Sequence, residues 1–397
     1  MLASGLPHAV LLVGPVSVGK TTLALDLAAA LLCTAEPPAA RPCRECRGCR
    51  MVASGNHPDL HRVGPDGPGG QIRIGERSNP DPGTVRGLIS ELSLLPVEGG
   101  ARVAIVEHAD RMNEDAQSAL LKTLEEPPRG VTIILAADEE ELLLPTVRSR
   151  CARIRLGPVG VRDVEAILAE LGVAEPSTAA RLGRLAGGRP GVALAYALNP
   201  PAVVGRGEIA RSLLDLLAAT RAQRLGAIRE ALAAAGEIGL ALAATPPDGT
   251  ASTPARTAAR GRRRATATAP PDLIEETEPS EGDALGRRLA PAERRRALTV
   301  LIEIWRDVCR DLRLAQLGES GSLRDPGLLD DLLKVAPTVP AGELVDFLHR
   351  LARAGELLVA NVSPELIADA LAISWPRSAG KVPASGQRSG SRATTPP

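Results

Sequence analysis

The chain has 397 residues, of which 44% are hydrophobic and 24% charged, enough for two or three domains with apolar cores. Lys and Arg together number 47, as do Asp and Glu, so no bulk charge attracts the whole molecule to nucleic acid. Aromatic residues make up 1% and none precedes Tyr196, which argues against a protein that grips single strands by base stacking.

Strands and helices alternate in the first part of the sequence. Ala9–Val13 reads as a buried strand and Thr21–Leu32 as a helix, followed by a loop at 33–50 that is rich in Pro, Cys and Arg. Asn113 offers an N-cap for a later helix whose apolar face is Ala116, Leu120, Leu121 and Leu124. Another helix is predicted at Thr84–Leu95, and two further buried strands at Arg102–Val106 and Val131–Ala136. The alternation predicts a parallel sheet covered by helices.

Strand patterns disappear beyond about residue 158. Short helices are predicted within 160–199, and helical periodicity returns at 206–243, 292–315, 341–359 and 364–373. The segment 244–290 is rich in Ala, Thr, Pro and charged residues, and the tail 376–397 is similar. Such composition buries too little apolar surface to offset the entropy of ordering, so we expect both segments to be disordered.

The first chemical motif is the run Gly14-Pro-Val-Ser-Val-Gly19-Lys20-Thr21, between a predicted strand and a predicted helix. It fits the phosphate-binding loop, in which glycines let backbone amides surround phosphate oxygens at a helix N-terminus. Lys20 would contact the β- and γ-phosphates of ATP, and Thr21 would hold Mg²⁺. The alternative is a loop of this shape that no longer binds nucleotide.

A hydrolysing site also needs carboxylates at the end of the next core strand. That strand is followed by Glu107-His108-Ala109-Asp110. Glu107 can serve the Mg²⁺ ion, but His108 stands where the water-activating carboxylate belongs, and Asp110 is expected to lie out of reach. The alternative interpretation of His108 is a polar residue at a strand end that has no catalytic role. We therefore expect ATP to bind without efficient turnover.

Three of the six cysteines fall within seven residues, in the spacing CxxCxxC. We expect a cytoplasmic protein, since the sequence shows neither a membrane-length apolar run nor a signal peptide, and cysteines there favour metal binding over disulfides. Four thiolates can surround one structural Zn²⁺ ion: Cys33, Cys43, Cys46 and Cys49. His57 is an alternative to Cys33 as the fourth ligand, and free thiols are the alternative to a metal site. Four arginines would offset the negative charge of the site: Arg41, Arg44, Arg47 and Arg50.

A third motif, Thr146-Val-Arg148-Ser149-Arg150-Cys151, follows the strand predicted at Val131–Ala136. Two arginines in such a place are either a solvated surface or an arginine finger offered to the ATP of a neighbouring subunit. Composition and spacing leave both interpretations open.

Four segments together resemble one family: LLKTLEEPP at Leu120–Pro128, SRC at Ser149–Cys151, GNHPDL at Gly55–Leu60, and the cysteine set. They look like the bacterial DNA polymerase III clamp-loader subunits, an AAA+ family that comprises the gamma/tau motor and its delta-prime relative. The resemblance is close over residues 6–200. It implies an α/β P-loop AAA+ core at 1–157 with a zinc module at about 33–62, then an all-α lid at 158–200 and an all-α collar at 203–375.

Departures from the gamma/tau pattern favour the delta-prime type. Where this chain has Glu107 and His108, gamma/tau subunits have Asp and Glu. They have threonines where this chain has Ala137 and Asp138, and a lid arginine where it has Pro190, beside Arg189. Eight residues precede the first strand, fewer than the family carries there, so we expect either a misassigned start or an incomplete adenine pocket.

The resemblance implies a ring stator whose Arg150 acts in trans during ATP-dependent loading of the sliding clamp onto primer-template DNA. The expected partners are the gamma/tau and delta subunits, without membrane contact. The polymerase activity would belong to the holoenzyme, and the chain's own ATPase would be weak or absent. Two alternatives remain: an active gamma/tau-type ATPase, and a stand-alone regulatory protein that binds zinc and nucleotide.

Overall fold

The computed structural model describes residues 6–66, 70–98, 100–244, 290–360 and 362–378. Most of the two segments predicted to be disordered, residues 245–289 and 379–397, lies outside the described residues. Among the described residues, none of the helices combines the length and the apolar character needed to cross a bilayer.

Five parallel strands form one sheet in the order β2-β3-β4-β1-β5. Their bounds are β1 Ala9–Val13, β2 Leu60–Val63, β3 Arg102–Val106, β4 Val131–Ala137 and β5 Ala152–Arg155. The predicted parallel sheet is confirmed, and β1 and β3 have the predicted bounds. Along β1, Ala9 and Leu11 point into one apolar cluster while Val10 and Leu12 point into the other, because helices cover both faces of the sheet.

The two edge strands were not predicted from the sequence. The β2 strand reads Leu-His-Arg-Val and the β5 strand Ala-Arg-Ile-Arg, each only four residues long. Neither is a continuous apolar run, because an edge strand needs less apolar burial than a central one. Their register therefore depends on pairing with β3 and β1, which the local sequence does not encode.

Helices pack on the two faces of the sheet. α1 and α2 share an apolar cluster with one face, and α3, α4 and α5 with the other. Asn113 caps α4 as predicted, because its side chain accepts a 2.9 Å hydrogen bond from the Ala116 amide. Ala116, Leu120 and Leu124 are buried, whereas Leu121 lies at the edge of the cluster. The bounds are α1 Lys20–Leu32, α2 Arg47–Ala53, α3 Val85–Leu92, α4 Glu114–Glu125 and α5 Pro145–Arg148.

The rest of the described chain is helical, with one apolar core that runs from Val164 to Trp375. The helical stretch predicted at 206–243 is two helices, because residues 216–220 form a turn. α12 was not predicted. The bounds are α6 Val161–Glu170, α7 Pro176–Leu185, α8 Pro190–Leu198, α9 Pro200–Asp215, α10 Arg221–Ala244, α11 Pro291–Gln316, α12 Leu329–Val335, α13 Ala341–Val359 and α14 Pro364–Ser374. The boundary between lid and collar remains a prediction.

Candidate nucleotide and metal sites

The predicted phosphate-binding loop connects the end of β1 to the start of α1. Gly14 has no space for a side chain, since a Cβ atom there would lie 2.2 Å from the Leu156 carbonyl oxygen. Gly19 caps α1 with φ 104°, a conformation that other residues rarely adopt. Thr21 lies in the first turn of α1. Residues 16–19 form the turn that leads into α1, and in a phosphate-binding loop the backbone amides of this turn and of the helix N-terminus bind phosphate.

Lys20 is folded back into this loop. Its ammonium nitrogen donates to the carbonyl oxygens of Gly14 at 2.7 Å and Pro15 at 2.8 Å. It also forms an ion pair with Asp138, with 2.6 Å between Nζ and Oδ1. The side chains of Lys20 and Asp138 are only 7% and 13% exposed, so the pair is largely shielded from water.

Asp138 follows β4 and meets two residues that follow β3. His108 Nδ1 lies 3.1 Å from Asp138 Oδ2, and Asp110 accepts a 3.0 Å hydrogen bond from the Asp138 amide. Burial raises the pKa of Asp138, but the hydrogen bonds and charges of His108 and Lys20 outweigh burial and hold that pKa below its ordinary value. Burial raises the pKa of Asp110. His108, with φ 50°, precedes the turn that places the Asp110 carboxylate beside the Asp138 amide; whether Asp110 reaches a bound nucleotide stays a prediction.

Glu107, the predicted Mg²⁺ ligand, points elsewhere. It accepts hydrogen bonds from Arg62 of β2, at 2.9 Å from Nε and 2.5 Å from Nη2. The residues that could hold a cation at this edge are instead His108, Asp110 and Asp138, whose ligand atoms lie within 4.8 Å of one another. The role of Glu107 toward Mg²⁺ stays a prediction.

The four cysteines converge at one point beside α1. Three pairs of sulfur atoms lie close together: Cys33 and Cys43 at 3.6 Å, Cys33 and Cys46 at 3.8 Å, and Cys43 and Cys49 at 4.0 Å. A tetrahedral zinc ion with Zn–S bonds of about 2.3 Å places its sulfurs about 3.8 Å apart. The residues present therefore fit a tetrahedral Zn²⁺ ion.

The surroundings of the cysteines also suit thiolate ligands. Backbone amides donate to three sulfurs: Ala35 to Cys33, Cys46 to Cys43, and Cys49 to Cys46. The Cys49 and Thr34 amides lower the pKa of Cys46 to about 5, whereas burial raises the pKa of Cys49 to about 12. Without a metal, one thiolate therefore suppresses ionisation of its neighbours, and a divalent ion would relieve that repulsion.

His57, the alternative fourth ligand, is directed away from this cluster. Its Nδ1 accepts a hydrogen bond from the Asp59 amide, and its Nε2 lies 3.8 Å from Glu98. The flanking arginines pair with carboxylates instead of facing the sulfurs: Arg41 with Glu36, Arg44 with Asp26, and Arg47 with Glu98. Cys33 is thus the ligand that the fold supplies.

Arg150 lies just after α5 and is 34% exposed. It forms an ion pair with Glu125 at the end of α4 and donates to the Thr146 carbonyl oxygen at 2.9 Å. Cys151, the last residue of the same motif, is buried, and burial raises its pKa to about 11. The motif thus places one arginine at the surface beside a buried anchor.

The first residues of α8 contact the phosphate-binding loop. The Gly191 amide donates to the Ser17 carbonyl oxygen at 3.0 Å, and a Cβ atom on Gly191 would lie 3.1 Å from Ser17. Two residues earlier, Arg189 binds Glu303 of α11 through two hydrogen bonds, of 2.9 and 3.0 Å. Arg189 lies next to the position of the gamma/tau lid arginine. Its guanidinium group is therefore already bound to a carboxylate of the same chain.

Comparisons with known proteins bear on residues 2–160, which match a family model described as DNA polymerase III, delta subunit. The delta-prime subunit of DNA polymerase III from Pseudomonas aeruginosa is 39% identical over 146 residues, which cover 37% of this chain and 42% of that protein. The corresponding subunit of Escherichia coli is 35% identical over 189 residues, covering 47% and 54%. Residues 2–160 are therefore similar to this DNA polymerase III subunit family.

The observed parallel sheet and the helices that follow it confirm the predicted α/β core followed by an all-α region. The chain spans about half the length of the delta-prime relatives it matches, from 42% to 54%. Relatives also include the tau/gamma subunit of Haemophilus influenzae, 32% identical over 43% of this chain and 24% of that protein. A gamma subunit-related protein of Thermotoga maritima is 14% identical and covers 94% of this chain and 96% of its own, with a TM-score of 0.36.

Sequence reasoning missed Asp138 as a partner of Lys20. The signal available was an acidic residue at the end of a core strand, where the related motor subunits carry a neutral one. Because parallel strands end at the same edge of a sheet, the end of β4 lies beside the loop that follows β1.

Proposed function

We propose that this chain is a delta-prime-type subunit of the DNA polymerase III clamp loader, acting in the cytoplasm. It is a stator in a ring with gamma/tau and delta subunits, and it supports ATP-dependent loading of the sliding clamp onto primer-template DNA. The observation that carries the proposal is the 35–39% identity to delta-prime relatives over 146 to 189 residues, with the match of residues 2–160 to the family model.

The geometry at the ends of β3 and β4 supports weak or absent turnover by the chain itself. Hydrolysis requires a group that orients and activates the attacking water beside the γ-phosphate. His108 stands in that place and is tied to Asp138 at 3.1 Å. Glu107 is tied to Arg62. Glu107 is thus engaged by Arg62, and an imidazole at position 108 is a weaker general base than the carboxylate that such a site needs.

Arg150 is the residue that we assign to catalysis in trans. A planar guanidinium can contact two γ-phosphate oxygens at once and stabilises the charge that builds during phosphoryl transfer. To reach a neighbouring subunit, Arg150 must leave Glu125, and that carboxylate is 46% exposed. Exposed ion pairs contribute about 0–1 kcal/mol, so the release is easily offset by a phosphate group.

The cysteine module has a structural role in this proposal. A bound Zn²⁺ ion would join the end of α1 to α2 through Cys33, Cys43, Cys46 and Cys49. Such sites contribute folding energy to short segments that have little apolar core of their own. Catalysis by the ion is not part of the proposal, because all four positions would be filled by thiolates.

The second candidate function is an active gamma/tau-type ATPase. The observation that favours it is the phosphate-binding loop itself, whose glycines and Lys20 are all present. Robust ATP hydrolysis by the purified chain, abolished in Lys20→Ala, would establish this function and overturn the stator role.

Reconstitution tests the stator role. The chain is expected to co-purify with gamma/tau and delta, and a stand-alone regulatory protein would not. In the reconstituted loader, Arg150→Ala and Arg150→Lys should both reduce clamp loading sharply while total ATPase falls only partly, since one of several sites loses its finger. Arg153→Ala removes an arginine three residues further along the chain, 50% exposed and paired with Glu140, and is the matched control. Normal assembly with unchanged loading in Arg150→Ala would refute the catalytic role.

A further inference from the structure

The ammonium group of Lys20 is engaged inside the chain. It donates hydrogen bonds to the carbonyl oxygens of Gly14 at 2.7 Å and Pro15 at 2.8 Å. It also forms an ion pair with Asp138, with 2.6 Å between Nζ and Oδ1. The positive charge that would bind a phosphate is therefore already neutralised by a carboxylate.

The uncharged part of the same site, its backbone amides, remains available to a phosphate. The turn at residues 16–19 leads directly into the N-terminal end of α1 and carries backbone amides that Lys20 and Asp138 do not occupy. Successive amides at a helix N-terminus form a ready anion site. The loop therefore keeps its backbone donors for a phosphate while its cation is engaged elsewhere.

Asp138 is held in this position by two further contacts. His108 Nδ1 lies 3.1 Å from its second carboxylate oxygen, and Asp110 accepts a 3.0 Å hydrogen bond from its amide. The carboxylate thus cannot turn away from Lys20 without losing its contact with His108. A phosphate that enters the loop must compete with it for Lys20 and also tolerate a negative charge nearby.

We propose that the Asp138 carboxylate is an internal competitor of nucleotide phosphates, which sets the affinity of the Gly14–Thr21 loop for di- and triphosphates. The carboxylate occupies Lys20 in the resting chain, so the loop binds polyphosphate weakly although its sequence is complete. Removal of this one charge restores binding. The inference concerns the isolated chain and does not depend on its place in a ring.

The experiment measures binding of inorganic tripolyphosphate and of ATP with Mg²⁺ to the full chain by isothermal titration calorimetry. Tripolyphosphate has no base, so its binding reports on the loop and not on the adenine pocket. Asp138→Asn keeps the size of the side chain and removes its charge. Glu139→Gln is the matched control, because it removes one negative charge from the adjacent exposed residue and is not a partner of Lys20.

Asp138→Asn is expected to tighten tripolyphosphate binding at least tenfold, whereas Glu139→Gln should change it less than twofold. The gain should vanish in the double variant Lys20→Ala/Asp138→Asn, since it depends on the released ammonium group. Circular dichroism verifies folding, and Asp138→Ser replaces Asp138→Asn if the latter does not fold. Equal effects of the Asp138 and Glu139 variants, or no tripolyphosphate binding by a folded Asp138 variant at millimolar concentration, would overturn the proposal.

Discussion

A network of buried charges joins α9 to α11 and gives a prediction with a definite magnitude. Asp307 accepts from Arg206 at 2.6 Å and pairs with Arg324 at 2.6 Å. The side chain of Arg206 is 4% exposed and that of Arg324 is 30% exposed. After Asp307→Ala, Arg206 retains only Asp325, at 3.9 Å, as a partner among the ion pairs of the described chain.

Substitution of Asp307 and substitution of Arg206 should lower the free energy of unfolding by different amounts. Removing one partner of a buried ion pair costs about 3–5 kcal/mol, because it leaves an uncompensated charge. We expect about 3 kcal/mol for Asp307→Ala, since Asp325 offsets part of the loss. Arg206→Met should cost about 1 kcal/mol or less, because Asp307 keeps Arg324 and the methionine is apolar.

Tryptophan fluorescence during urea unfolding measures this core selectively. The chain has two tryptophans, Trp305 and Trp375, whose rings lie 6.0 Å apart in the same apolar cluster. With a urea slope of about 2 kcal/mol/M, the midpoint should fall by about 1.5 M in Asp307→Ala and by less than about 0.5 M in Arg206→Met.

The control is Asp331→Ala, which removes two solvent-exposed pairs, with Arg211 at 3.7 Å and with Lys334 at 3.5 Å. Exposed pairs contribute little, so its midpoint should stay within about 0.3 M of the parent. The reasoning fails if Arg206→Met destabilises the helical core as much as Asp307→Ala, or if neither variant moves the midpoint more than the control does.

Four further predictions concern the core. Metal analysis should find about one Zn²⁺ per chain, lost in Cys46→Ser with the sheet still folded, and native protein without zinc would contradict this. After chelation Cys46, whose pKa is about 5, should react rapidly with a thiol reagent, while Cys151 and Cys309, whose pKa burial raises to about 11 and about 12, stay unreactive; equal reaction rates of the three would contradict it. Asn113→Ala should lower the free energy of unfolding by about 1 kcal/mol in urea titrations, since it removes the N-cap of α4; no change would show that the cap is dispensable. The folded-state pKa of Asp138 lies below its ordinary value of 3.8, so its ionised form stabilises the fold above that pH, and the advantage over Asp138→Asn should shrink as the pH falls through 3.8; an advantage that is the same at pH 3 as at pH 6 would refute it.

The sequence predicts the central architecture because local pattern and burial agree there. Ala9–Val13 and Arg102–Val106 are apolar on both faces, as central strands must be, and their bounds were predicted correctly. The edge strands β2 and β5 carry arginines and a histidine, and they become strands through pairing alone. Local reasoning cannot detect such strands.

Contacts between distant segments mark where prediction from the sequence ends. The cysteine spacing left His57 and Cys33 as alternative fourth ligands. In the structure the end of α1 places Cys33 beside Cys43, whereas His57 accepts a hydrogen bond from the Asp59 amide. Likewise, the phosphate-loop pattern specifies Lys20 but not its counterion. Asp138 comes from another strand, and only the sheet order brings the two together.

The three residues Arg189, Pro190 and Gly191 connect the phosphate-binding loop to α11. The Gly191 amide donates to the Ser17 carbonyl oxygen, and Arg189 binds Glu303. Only Pro190 separates Gly191 from Arg189. A ligand that shifts the loop therefore strains the α11 contact, and a partner that binds the α11 face strains the loop. Thermodynamic linkage requires these two effects to be equal in free energy. Any protein that changes the polyphosphate affinity of this chain from the α11 side must have its own affinity changed by polyphosphate by the same factor.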